Sequence, residues 1–433
     1  MDFLSGLIST PRVEHLLINH YIIIGVSALF LFYIGILFGS VSFALLFNTL
    51  ARSEENQFYQ QFAKDLASTF MAKKMVGVIL GILPVAVLAI AYAQNLFEAD
   101  IKISQYFFYI LLFSILGVVF AFLFKSAMLK EEGSYEIQQL LGTISLFSLL
   151  LMVFVFISST SLILFPSKWN LVKLPIPVFF DFNIVVRFLT LLVAALGFTG
   201  SAILFFYFNW MGGKDNIDEK YQNFVLKFAG GVAIASTIAL PIFILWNYKT
   251  IPPLAESTLA YELAIGIVFI LMIICLLLYT VLSKFTVHNG TQIFVLFIIV
   301  SISLSFTDNL ARETALAEHS LYLYKKAEEV ANEVAMMRDE LRGPAETDAA
   351  MGEQIFNTRC IACHKFDQRL VGPPYTETLP KYENDIESLG NFILNPVKMN
   401  PEYPVMPNQG LKPNEAKAVA EYIMQKYMEE YKK

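Results

Sequence analysis

Eight apolar runs, each long enough to cross about 30 Å of hydrocarbon as a helix, constrain this chain more than any other feature. They fall at about 20–48, 75–94, 105–124, 138–165, 182–209, 223–247, 257–282 and 290–307. Inside lipid every backbone N–H and C=O must be paired within the segment, so runs of this length predict helices. The fold class that follows is all-α, a polytopic membrane protein of about eight transmembrane helices within residues 1–307. Charge distribution agrees. Only 16% of the 433 residues are charged; up to residue 307 they sit in short interruptions, and from Asp308 onward Glu, Lys and Arg become dense. Such asymmetry predicts an integral membrane region followed by a water-exposed module. The net charge of -6 gives no reason to expect nucleic acid as a partner. The opening stretch "MDFLSGLISTPRVEH" has neither a basic leader nor a small-residue cleavage site, which predicts no removable signal peptide.

A weak internal repeat divides the membrane region into 20–165 and 182–307. "FYQQFAKDLASTFMAKKMVGVILGILPVAVLAI" leads into the second run, and "KYQNFVLKFAGGVAIASTIALPIFIL" takes the corresponding place in the second half. Each carries a Tyr-Gln pair and a Leu-Pro inside the helix, at Leu83-Pro84 and Leu240-Pro241. A mid-helix proline removes a backbone hydrogen bond and kinks the helix. Two four-helix bundles in parallel orientation are expected. Loops after the odd runs hold Arg52, Lys64, Lys73, Lys74, Lys125, Lys130, Lys214, Lys220 and Lys284; the other loops hold Arg12, Lys102, Lys168, Lys173 and Lys249. Positive charge favours the cytoplasm, so both ends of the membrane region are expected on the outer side.

Between the first two runs, Phe58, Phe62, Leu66 and Phe70 recur every fourth residue among polar neighbours, the pattern of an amphipathic helix at the membrane surface. After the eighth run, residues 308–343 read as one long helix. Leu316, Ser320, Leu323, Ala327, Val330, Val334, Met337 and Leu341 form a narrow stripe, four and three apart. Gly343-Pro344 ends it. This stretch is expected to be a stalk, or to lie along a partner, with the polar "GPAETD" as a hinge into a last domain at 344–433.

That last domain carries the chemistry. "NTRCIACHKF" contains C-x-x-C-H: Cys360 and Cys363 are spaced to form thioethers with the two vinyl groups of one haem, and His364 follows as an axial iron ligand. Zinc or redox use of a C-x-x-C is the competing reading, but there is no second cysteine pair and the adjoining histidine discriminates. The remaining Cys275, in "LMIICLLLYT", reads as a small packing residue.

The surroundings, "MGEQIFNTRCIACHKF…VGPPY…VMPNQGLKPNEAKAVAEYIMQKY", resemble class I cytochrome c over residues 346 to 433. The resemblance implies that Gly352 packs against Tyr422 where the first and last helices cross. It also implies that the Pro373 carbonyl, in Gly372-Pro373, accepts the imidazole proton of His364. The sixth ligand it implies is Met406 in "VMPNQGL", with Met399 in "VKMNPEY" as the rival that lacks the following proline. One covalently attached haem c with both axial sites filled is then an electron relay, at a potential raised by the thioether. Bacterial c-type haem is attached outside the cytoplasmic membrane. That again puts the C-terminus on the periplasmic face of the inner membrane.

The membrane part offers little for a haem b, which needs a pair of histidines at matching depth. His15 and His20 open the first run, His288 precedes the last and His319 lies on the stalk. "NHYIIIG", the amphipathic segment and the four-helix bundles are faintly similar in topology to subunit I of cytochrome bd quinol oxidases. His20 matches that family's early haem-ligating histidine. The acidic residues expected in the third run are absent, as is the later histidine, and oxygen reduction is not expected. Ionisable residues inside spans are functional candidates. Arg187 and Glu262 lie just inside the outer face, and Lys227 just inside the inner one. Long side chains at such depths can also snorkel. The functional reading places His20, Arg187 and Glu262 around an outward quinol pocket, with His20 or Glu262 as proton acceptor.

Two functions compete. The first is a membrane-anchored monohaem c-type cytochrome, an electron-transfer subunit of a respiratory membrane complex that docks other subunits and a redox partner protein. The second is a quinol-oxidising subunit that passes electrons to its own haem c. A transporter or sensor gated by haem redox state predicts a polar path through the spans, and few polar residues lie there.

Overall fold

The computed structural model describes residues 10–54, 56–71, 74–99, 101, 103–130, 133–171, 181–210, 218–284, 289–341 and 349–432. His288, Lys73, Lys102, Lys173, Lys214, the Gly343-Pro344 stop and the 343–348 hinge lie outside the described residues. The chain forms two compact units, Met1–Ala331 and Asn332–Lys433. Among the described residues there is no strand.

Eight helices of the first unit are long and apolar enough to cross a bilayer. They are α1 (Val13–Glu54), α3 (Met75–Asn95), α4 (Ile103–Met128), α5 (Tyr135–Leu162), α6 (Phe182–Phe208), α7 (Glu219–Thr250), α8 (Thr258–Lys284) and α9 (Gly290–Ala315), with α2 (Gln57–Phe70) inserted after the first. Helices α1, α3, α4 and α5 close one four-membered ring of contacts, and α6, α7, α8 and α9 close a second. Helix α1 also packs on α6 and α9, so one apolar core runs through both rings.

Lipid supplies no hydrophobic drive for helix association, so small residues and polar bonds must hold the rings together. Gly35 and Gly39 of α1 meet α6 so closely that a Cβ on Gly39 would lie 2.1 Å from Thr199 Oγ1. The Thr199 hydroxyl lies 3.2 Å from the Gly35 carbonyl across that crossing and 2.7 Å from its own Ala195 carbonyl. Ser301 of α9 likewise donates to the Ala28 carbonyl of α1 at 3.0 Å. Pro84 is accommodated by a widened turn of α3, Val78–Ile82, whose Gly81 carbonyl accepts from Ser114 of α4 at 2.6 Å. Pro241 sits within the continuous helix α7.

Side-chain bonds mark the two ends of the bundle. At the end where α1 begins, Asn19 donates to Gln94 and Asn95, and Asn183 donates to Thr250. At the opposite end Asn48 donates to Gln138, and Tyr221 donates to Asp65 at 2.8 Å.

Three expectations change. Helix α2, capped by the Asn56 side chain, does not lay its apolar face on lipid: Phe62 and Leu66 are fully buried, with the Phe62 ring 5.5 Å from Phe224 and 5.3 Å from Phe228. The segment that matches it in the repeat is the start of α7, so the two Tyr-Gln stretches pack on each other but differ in form. The eighth span does not stop at 307; α9 continues to Ala315, and α10 (Ala317–Leu341) follows after Leu316. The beginning of α10 is no free stalk. Leu323 and Ala327 are buried, and Glu98, held at a left-handed φ of 59°, accepts from the Tyr322 hydroxyl at 2.7 Å and pairs with Lys326.

The second unit is a small helical domain: α11 (Ala349–Ile355), α12 (Ile386–Leu394) and α13 (Pro413–Lys426) around Phe356, Phe366, Tyr375, Leu389, Val419 and Ile423. Helices α11 and α13 cross at Gly352, where a Cβ would lie 2.4 Å from the Ala418 carbonyl oxygen and 2.8 Å from Tyr422 Cβ. Gly352 thus lies against the Ala418 backbone and meets Tyr422 at its Cβ.

Candidate functional site

Helix α11 runs into a widened turn, Phe356–Cys360, and the backbone then tightens so that the Cys363 and His364 amides both donate to the Cys360 carbonyl, at 3.1 and 3.0 Å. The chain next loops out and returns. Gly372 N donates to the Cys363 carbonyl at 2.8 Å, and Tyr375 N to that of Lys365 at 3.1 Å. This return places the Pro373 carbonyl 3.1 Å from His364 Nδ1. The imidazole lies nearly parallel to the Tyr375 ring, with centroids 5.1 Å apart. Gly372 lies against the imidazole as well, where a Cβ would come 2.2 Å from His364 Cε1. With Nδ1 committed to a carbonyl, Nε2 is the nitrogen left for a metal. Burial lowers the His364 pKa and the Pro373 bond opposes that shift; the net direction favours the neutral ring, the form that ligates iron.

Cys360, Cys363, His364, Pro373, Met399 and Met406 line one cavity of about 410 Å³, walled by Leu379, Leu389, Phe392, Ile393 and Ile423. Two thiols, a neutral imidazole with one free nitrogen, and a thioether on an apolar cavity are the donors that a covalently held haem requires, and the site fits it. Burial pushes the Cys360 thiol up to about 11, whereas a redox-active C-x-x-C needs a depressed pKa. Among the described residues no group of three or more His, Cys, Asp or Glu side chains could hold a metal such as zinc. Both methionines reach the cavity; Met399 is 61% exposed and Met406 is half-buried.

The proposed membrane trio does not come together. His20 of α1 pairs through Nδ1 with Glu313 of α9, and Asn309 Nδ2 lies 3.2 Å from that ring nitrogen and donates to Glu313 at 3.0 Å. Arg187 of α6 is buried and pairs with Asp308, which also takes Arg312 one turn further along α9. Arg312 stands 5.6 Å from the centroid of the buried Tyr92 ring. Glu262 is exposed on α8 and bonds to neither His20 nor Arg187. His15 and Lys227 are exposed, and His319 is half-buried between Trp169 and Tyr322. Asp308, Asn309, Arg312 and Glu313 were missed because this polar run reads as the start of a soluble stalk. Their i,i+4 spacing, continuing an apolar helix, was the available signal.

The family model described as Cytochrome c matches residues 349–426. Cytochrome c-551 of Pseudomonas denitrificans is 35% identical over 77 residues, which are 17% of this chain and 94% of that protein. No solved structure matches the chain.

Proposed function

Since the chain belongs to the cytochrome c family through its C-terminal domain, we propose that it is a membrane-anchored electron-transfer subunit of a respiratory membrane complex. The family implies a covalently attached haem c and electron transfer. Cys360 and Cys363 would hold that group as thioethers, with His364 and Met406 as its axial ligands. When bound, the haem supplies one-electron storage at a potential raised by the thioether. The residues do the rest. Pro373 and Gly372 fix the plane and tautomer of His364, the apolar wall excludes water, and Met406 would supply the second ligand from across the cavity. With His364 and Met406 both held to it, the group would pass electrons rather than bind oxygen.

The observation that carries this reading is the His364–Pro373 bond at 3.1 Å, which turns the free nitrogen toward the cavity that both cysteines line. Met406 is preferred to Met399 because it is the more buried of the two. We further place the α1-start end and the cytochrome domain on the outer, periplasmic side. Arg52, Lys64, Lys125, Lys130, Lys220 and Lys284 lie at the opposite end, against Arg12, Lys168 and Lys249 at this one. Other subunits and a redox partner protein would dock around it.

A reduced-minus-oxidised spectrum with pyridine haemochrome quantification tests the cofactor; the expected content is haem c alone. Met406→Ala is expected to abolish the low-spin His/Met spectrum while Met399→Ala leaves it. The reverse result overturns the ligand assignment, and unmodified Cys360 and Cys363 in the mature protein overturn the relay.

A further inference from the structure

A second cavity, of about 340 Å³, opens among the beginning of α1, the end of α3, the end of α9 and the beginning of α10. Leu16, Leu17, Leu316 and Leu323 make its walls apolar, and the His20–Glu313 pair lines it. Its volume falls at the low end of the range for small-molecule sites, suited to one substituted ring.

Its depth identifies where a ligand would come from. Tyr21, beside His20, is 74% exposed, and Trp246 and Tyr261 are exposed at the same end of the bundle. Exposed tyrosine and tryptophan of this kind mark the level where hydrocarbon meets headgroups. The cavity is thus reached from the bilayer, by a molecule with an apolar tail.

Its polar groups identify the head. Glu313 accepts from Asn309 and pairs with His20 Nδ1; among the described residues His20 Nε2 has no protein partner. Behind them Arg187 and Arg312 face Asp308. Two guanidiniums against two carboxylates balance, so the cluster is neutral when His20 is neutral, and the pair facing the cavity offers acceptors. A phospholipid headgroup brings an anion against Glu313, which repels it. A neutral ring bearing O–H donors meets acceptors instead.

We propose that this cavity binds the ring of a membrane quinol, one ring hydroxyl donating to the His20–Glu313 pair. The site differs from the trio read in the sequence, since Glu313 replaces Glu262 and Arg187 stands behind the cavity. It is independent of the haem ligand assignment, so its failure leaves the electron relay intact.

The test uses the full haem-loaded chain in phosphatidylcholine nanodiscs, titrated by calorimetry with decylubiquinol kept reduced. Saturable binding is expected. His20→Asn and Glu313→Gln are each expected to weaken it about tenfold to a hundredfold, the worth of a hydrogen bond to a charged group. Glu262→Gln is expected to bind as the parent does. Haem content and elution volume report folding; should either variant misfold, Ser320→Phe, which fills the cavity from α10 and leaves the pair intact, is expected to abolish binding. A photoactivatable azidoquinone should label peptides within 13–24 or 309–324. Absence of saturable binding, parental affinity in the folded variants, or labelling confined to other segments overturns the proposal.

Discussion

Replacing Gly372 by alanine tests whether the haem-binding histidine is held by steric closure. The added Cβ would sit 2.2 Å from His364 Cε1 and 2.7 Å from both ring nitrogens, where ordinary contact begins at 3.4 Å. Ring and loop must therefore separate by about 1.2 Å. If the loop withdraws, Pro373 goes with it; if the ring turns, Nδ1 swings off the carbonyl. Either way the 3.1 Å bond is lost. Overpacking costs about 1–3 kcal/mol and the lost bond about 0.5–1.5 kcal/mol, together roughly 2–4 kcal/mol. At about 4–8 °C per kcal/mol for a domain of this size, the midpoint should fall by roughly 10–30 °C. Thermal unfolding of the haem-loaded chain, followed by circular dichroism of the haem band, measures it. Gly390→Ala is the control: its Cβ would come no closer than 3.8 Å to Lys417, and within helix α12 alanine should hold or slightly raise the midpoint. A Gly372→Ala midpoint within about 3 °C of the parent would refute the closure argument.

Asp308→Asn leaves the buried guanidiniums of Arg187 and Arg312 without their shared carboxylate. It should destabilise the membrane unit by about 3–5 kcal/mol, seen as a lower midpoint in a thermal scan of the detergent-solubilised chain. The Glu98 carboxyl is held below its usual range by hydrogen bonds from Lys326 first and Tyr322 second. A depressed folded-state pKa stabilises above the ordinary carboxylate pKa, and that contribution fades as pH falls through the lowered value. Pepsin cleavage within α10 should therefore accelerate on acidification below about pH 4, and Glu98→Gln should remove that dependence.

The number of spans was legible because the thickness of hydrocarbon sets the length of an apolar helix whatever its neighbours. The haem motif was legible for a similar reason: two thioethers and an adjoining ligand must be close in sequence. What failed was azimuth and pairing. Depth along a helix put His20, Arg187 and Glu262 at one level, but only packing decides which way each faces, and Glu262 turns outward. Asp308 and Arg312 looked like the edge of a soluble stalk, since hydropathy counts each charge alone. Arg187, the partner of Asp308, is 121 positions away, and a carboxylate shared by Arg187 and Arg312 lets the helix carry both of its charges inward. Helix α2 shows the same limit. Its apolar face was evident in the sequence, whereas the protein surface that covers it, Phe224 and Phe228 of α7, was not.

One span suffices to tether a cytochrome domain, and this chain has eight helices fit to span. Anchoring does not explain where their charges lie. Midway through the bundle the helices meet through glycine, threonine and serine, at the Gly35–Thr199 and Ala28–Ser301 contacts. Among the described residues, the two buried arginines meet Asp308 at the end where α1 begins and tie α6 to α9, and the partly exposed His20–Glu313 pair ties α1 to α9 there. Withdrawing charges from water costs several kcal/mol per ion, and well-packed apolar residues at such positions are often as stable or more so. A unit selected only to hold the membrane would therefore lose nothing by carrying leucine there. Two arginines and two carboxylates beside a histidine, next to the second cavity, are instead what the proposed quinol site would use to hold a proton-bearing ligand.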